Sequence, residues 1–76
     1  MKALLEYIAA ALVDEPSAVR VVEVRAGRES RLEIHVDSPE IGRVIGRQGR
    51  TARAIRSLLT VHSKKTGRRM RLEICG

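Results

Sequence analysis

Three stretches of this chain alternate apolar and polar residues, and that period of two limits what the rest can do. Arg31 to Asp37 places Leu32, Ile34 and Val36 on one side and Arg31, Glu33, His35 and Asp37 on the other. Arg68 to Cys75 does the same, with Met70, Leu72 and Ile74 against Arg69, Arg71 and Glu73. Arg20 to Ala26 reads as a third strand, with Val22 and Val24 facing inward and Glu23 and Arg25 outward. Successive strand residues point to opposite faces of a sheet, so each stretch offers one apolar face. Three such strands are stable only when something covers that face. In a chain of 76 residues the cover has to come from its own helices, around a thin core.

The intervening stretches supply those helices. From Lys2 to Val13, Leu5, Ile8 and Leu12 recur at helical spacing, with Leu4 and Ala11 beside them, and Asp14-Glu15-Pro16-Ser17 ends the run. Gly27-Arg28-Glu29-Ser30 reads as a turn between two antiparallel strands. Ser38-Pro39-Glu40 has the composition of a helix start, with Ser38 as the cap, Pro39 at the first position and Glu40 near the positive end. A short helix is expected from there to about Ile45, and a longer one from Arg50 to Thr66. In the longer helix Ala52, Ile55, Leu59 and His62 form one stripe, and Gly67 suits the left-handed position beyond its end.

The order α-β-β-α-α-β predicts an α+β fold: a three-stranded mixed sheet covered on one face by three helices. The hairpin makes the first two strands antiparallel, and the two-helix crossover permits the third to lie parallel.

Charge divides the chain unevenly. Residues 1–40 carry five basic and eight acidic side chains; residues 41–76 carry ten basic and one acidic. No acid occurs from Ile41 to Leu72. A cationic half of this kind points to a polyanionic partner. Cys75 has no second cysteine to pair with, and no stretch approaches the ~20 apolar residues of a membrane span. A cytoplasmic protein with a reduced thiol is the expectation, with no membrane contact.

Within the cationic half, Gly46-Arg47-Gln48-Gly49 separates the two helices. Glycine lets the backbone turn tightly and lets another backbone come close. The free N–H groups of the following helix then point at the loop, an arrangement that suits a phosphate. Arg47 and Arg50 add charge at the loop, and Arg43 and Arg53 flank it by about one turn. Val44, Ile45 and Ile55 surround it with apolar surface on which a base could rest.

This string, Val44-Ile45-Gly46-Arg47-Gln48-Gly49 followed by Ala52 and Ile55, resembles the KH-domain signature: an apolar pair, GXXG, and helix positions packed under the loop. The element order is similar to the prokaryotic (type II) KH arrangement. The likeness extends over nearly the whole chain, to the small stand-alone bacterial KH proteins of the KhpA type, so residues 1–76 read as a single KH domain. The resemblance implies non-catalytic binding of single-stranded RNA, about four nucleotides lying over the loop. Gly46, Arg47, Gln48 and Gly49 would contact the backbone, and Arg43, Arg50 and Arg53 would meet flanking phosphates. Ile41, Val44, Ile45 and Ile55 would partly line an apolar groove and partly pack the core. The resemblance also implies pairing, as a homodimer or with a larger KH protein of the Jag (KhpB) type, and a regulatory or RNA-chaperone-like role.

A protein-interaction module is the alternative. Ala54, Leu58 and Val61 extend the apolar arc of the long helix; either the first helix covers them or they form an interface. Arg68, Arg69 and Arg71 read as a solvated face, and Lys64 and Lys65 as cations offsetting the helix dipole. Both Walker and dinucleotide-binding loops require a glycine where Val44 stands. His35, His62 and Cys75 lack metal-ligand spacing, and no nucleophile with a base and an orienting partner can be assembled, so neither metal, cofactor nor catalysis is expected. Tyr7, the one aromatic residue, is expected at a core edge, its polar tip reaching water.

Overall fold

A computed structural model describes all residues from Met1 to Gly76. The elements run α1 (Lys2–Leu12), β1 (Arg20–Ala26), β2 (Glu29–His35), α2 (Ile41–Ile45), α3 (Arg50–Thr66) and β3 (Arg69–Cys75). The sheet order is β1-β2-β3, with β1 antiparallel and β3 parallel to β2. All three helices pack on one face, α1 against β1 and β2, α2 and α3 against β3. This is the α+β architecture that the alternation and the element order imply.

The core lies between the layers. Leu5, Leu32, Ile34, Val44, Ile55 and Leu59 are each at most 2% exposed. Every such side chain contributes about 1.5–3 kcal/mol by leaving water. In a domain whose net stability is on the order of 0.1 kcal/mol per residue, none of them is dispensable.

The hairpin differs from the expected one in a way that matters for the faces. Gly27 adopts φ +60°, so Gly27-Arg28 alone makes a two-residue turn, and Glu29 and Ser30 join β2. Ala26 then sits opposite Glu29, which fixes the register for the rest of the pair. Val21 lies opposite Ile34 and is buried, while Val22 and Val24 lie opposite Glu33 and Arg31 on the open face. The expected inward placement of Val22 and Val24 is therefore reversed. Alternation alone does not choose between two adjacent valines, because the turn length and not the strand sets the face.

Three smaller corrections follow. Ser38 makes no side-chain cap; Ser38–Glu40 is a single 3₁₀ turn, and α2 begins only at Ile41. Arg68 precedes β3 and turns its Nε onto the buried Ser30 hydroxyl at 3.1 Å. Tyr7 is 76% exposed, well away from the core.

The open face of the sheet carries a charge ladder. Arg31 Nε donates to Glu33 at 2.8 Å and lies 3.8 Å from Glu73; Arg71 pairs with Glu29 at 2.9 Å. His35 Nε2 lies 2.9 Å from the other Glu33 oxygen. Its ring partner and Arg31 hold the Glu33 carboxyl below its ordinary value of 4.5.

Candidate functional site

The glycine loop is built by three unusual backbone positions among its four residues, Gly46, Gln48 and Gly49. Gly46 ends α2 at φ 80°, ψ 168°, and its N–H closes on the Gly42 carbonyl at 2.9 Å. Gln48 and Gly49 both enter the left-handed region, at φ 56° and 73°, before the chain turns into α3. Gln48 is the one non-glycine residue of the chain with positive φ, a conformation costing about 1–2 kcal/mol. The loop is held from both sides: Gly49 N–H donates to the Gly46 carbonyl at 3.0 Å, and Arg53 donates to the Gln48 carbonyl at 3.0 Å.

Gly46 must also be a glycine for want of space. A Cβ there would meet the Thr51 hydroxyl and lie 2.8 Å from Thr51 Cβ and 2.9 Å from its backbone nitrogen. Thr51 is a site residue that the sequence reading missed. It stands two places beyond the GXXG signature, and only the folded turn brings it onto Gly46. At Gly49 a Cβ would meet nothing within 4 Å, so only its φ calls for glycine.

The start of α3 is open. No side chain caps it and its first turn holds no acid; only the Arg50 N–H is taken, by the Arg47 carbonyl of the preceding 3₁₀ turn. The first N–H groups of a helix have no partner inside it, and they gather about half a positive charge. Arg47 and Arg50, both exposed, stand beside these groups without a carboxylate partner.

The structure separates the remaining candidates. Arg53 sits at the loop, holding its backbone. Arg43 turns away to Asp14, 2.9 Å from its carboxylate, while the Asp14 N–H donates to Glu40 at 2.6 Å. These two contacts fasten α2 to the end of α1, and they join residues too far apart in sequence to be paired by inspection. Val44 is wholly buried and Ile55 is 2% exposed, so both pack beneath the loop and neither lines a groove. Ile41 and Ile45 are half-buried; Ile45 directly precedes the loop, whereas Ile41 lies at the far end of α2 against Gly76. Ala54, Leu58 and Val61 are exposed, the last two at 46% and 54%; α1 does not cover them. No helix is long and apolar enough to cross a membrane.

A family model described as the KH domain of KhpA/KhpB matches residues 2–74. Among curated relatives, the RNA-binding protein KhpA of Halalkalibacterium halodurans is 49% identical, covering 97% of both chains. That of Aquifex aeolicus is 45% identical over 97% of this chain and 94% of its own. That of Clostridium acetobutylicum is also 45% identical, over 97% and 99%. No solved structure matches the chain significantly. Nearly end-to-end similarity at this level, on a fold with the signature loop in its place, means that the chain belongs to the KhpA/KhpB family of KH-domain proteins.

Proposed function

We propose that this protein binds single-stranded RNA, without catalysing a reaction, across the Gly46–Gly49 loop. The observation that carries the reading is the uncapped, acid-free start of α3 beside two unpartnered arginines. The curated relatives, each named as an RNA-binding protein, support the choice of ligand. Arg47 and Arg50 meet phosphates. Arg53 braces the loop, Arg43 fixes α2, and Ile45 gives an aliphatic rest for a base. Val44 and Ile55 act from beneath by packing. Contacts made by backbone and charge discriminate little between bases, which fits a regulatory or chaperone-like role on many RNAs.

A second reading rests on Leu58 and Val61. Two large apolar side chains left in water on one helix face favour pairing, with a second copy or with a larger KH protein of the Jag/KhpB type. The two readings are compatible, since a dimer would hold a longer strand at raised effective concentration.

Arg47→Asp/Gln48→Asp tests the loop. Both side chains are exposed, so circular dichroism and the melting temperature should stay close to wild type. Affinity for short single-stranded RNAs should fall at least ten-fold, about 1.4 kcal/mol. The wild-type affinity should fall with salt at about −0.7 per phosphate neutralised, and the variant's slope should be shallower. Equal binding by both proteins would remove the loop from the function.

A further inference from the structure

The end of the molecule opposite the glycine loop carries a second cluster of cations. Gly67 and the start of β3 return beside the hairpin turn, where the Arg69 N–H donates to the Arg28 carbonyl at 2.8 Å. An open cleft of about 400 Å³ lies there, lined by Ala26, Arg28, Glu29, Gly67 and Arg69. Lys64 and Lys65 belong to the last turn of α3, three and two residues before the Gly67 that lines it. Arg28, Lys64, Lys65 and Arg69 are all exposed, and none has a carboxylate within 4.0 Å.

The nearby acids are already occupied. Glu29, the one acid in the cleft, is held by Arg71 at 2.9 Å, and Glu23 by Arg25 at 3.0 Å. The α3 dipole accounts for roughly half a charge at its C-terminus, too little to need four cations. So much unpaired like charge on one small surface repels itself and destabilises the fold, unless an anion offsets it. Dipole compensation and a solvated face, the readings that each residue invites singly, do not explain the group.

We propose that this pole is a second contact for the phosphate backbone of the same RNA strand that the loop holds. The inference rests on the loop reading above. Between the two sites lies the whole of α3, whose 17 residues span about 25 Å. A KH loop clamps about four nucleotides, so a short oligonucleotide engages the loop alone. A longer strand, once clamped, reaches the second pole at high effective concentration, where a contact too weak to act alone adds to the first. The occupant is a polyanion strand, because the site offers charge and an open cleft but no exposed aromatic or enclosed apolar surface for a base.

The experiment compares oligouridylates of five and twenty nucleotides on three full-length proteins: wild type, Arg47→Asp/Gln48→Asp, and Arg28→Gln/Lys64→Gln/Lys65→Gln/Arg69→Gln. The fourfold variant should bind the five-nucleotide RNA like wild type and the twenty-nucleotide RNA at least ten-fold more weakly, with a salt slope shallower by about 1.4 or more, two phosphates' worth. The half-variants Arg28→Gln/Arg69→Gln and Lys64→Gln/Lys65→Gln should each give an intermediate loss. Wild-type binding of the long RNA by the fourfold variant overturns the proposal. So does an equal loss on both lengths, which would mark a general field effect, and so does a loss confined to the α3 pair. If the loop variant keeps full affinity for both RNAs, the loop reading fails and the shared strand with it, whereas a loss in the fourfold variant alone would make the pole the primary phosphate site. Wild-type protein that binds vesicles of anionic phospholipid through these four residues, but not the long RNA, would assign the pole to a membrane surface instead.

Discussion

Gly46 is constrained twice, by its backbone angles and by Thr51 pressed against it, whereas Gly49 is constrained only by its angles. The two glycines of the loop should therefore differ. Gly49→Ala should cost about 1–2 kcal/mol, the strain of a left-handed alanine. Gly46→Ala should cost about 3 kcal/mol or more, because the added carbon also has to displace backbone. Urea denaturation of the two variants measures the gap, and equal costs would mean that Thr51 yields easily. On the open face, Glu33 gives a test by pH. Its carboxyl is held below 4.5 by the His35 contact and by Arg31, so the folded state favours the ionised form. Its contribution is present above its unfolded pKa and is lost as pH falls through the lower, folded one. The melting temperatures of wild type and Glu33→Gln should thus differ most at pH 6 and converge toward pH 3.

At the scale of elements, β2 and β3 could be read from alternation because each has apolar residues at every second place and polar ones between. The long helix could be read from its stripe, and the loop from two glycines before a helix. β1 could not, because Val21 and Val22 are adjacent and only the hairpin register chooses between them. The Arg43–Asp14 tie was equally hidden, since no local pattern links the end of one helix to the middle of another. In the site, the glycines and their neighbouring arginines were legible as a group. Which apolar residues lie beneath and which beside the loop was not, because Val44 and Ile45 are likewise adjacent. The register makes a sharp prediction. Val21→Thr should destabilise the protein by about 1–3 kcal/mol, a buried hydroxyl replacing a buried methyl. Val24→Thr, at a position 40% exposed, should stay within about 0.5 kcal/mol. Thermal melts of the pair would reverse that order if Val24 faced the core.

For the whole molecule, helices occupy one face of the sheet and a paired charge ladder the other; of the large apolar side chains left in water, Leu4 and Tyr7 lie on α1, Val24 on β1, and Leu58 and Val61 together on the outer side of α3. If that surface joins two copies, Leu58→Glu should leave the fold and the melting temperature nearly unchanged, since the side chain is 46% exposed. Sedimentation at micromolar concentration should then show wild type as a dimer and the variant as a monomer. A wild type that sediments as a monomer would rule out the homodimer.

Parallel pairing of β2 with β3 joins Glu29 to Arg69, so the loop lies inside a single closure of about forty residues. Its geometry is borrowed from a sheet that is incomplete until β3 arrives, and β3 comes after the loop in the order of synthesis. On the ribosome, a nascent chain ending anywhere before β3 would carry the glycines and arginines as a slack linker. Affinity for RNA would switch on in one step as the last strand docks, and a chain halted short of it would be silent in the presence of the ribosome's own RNA.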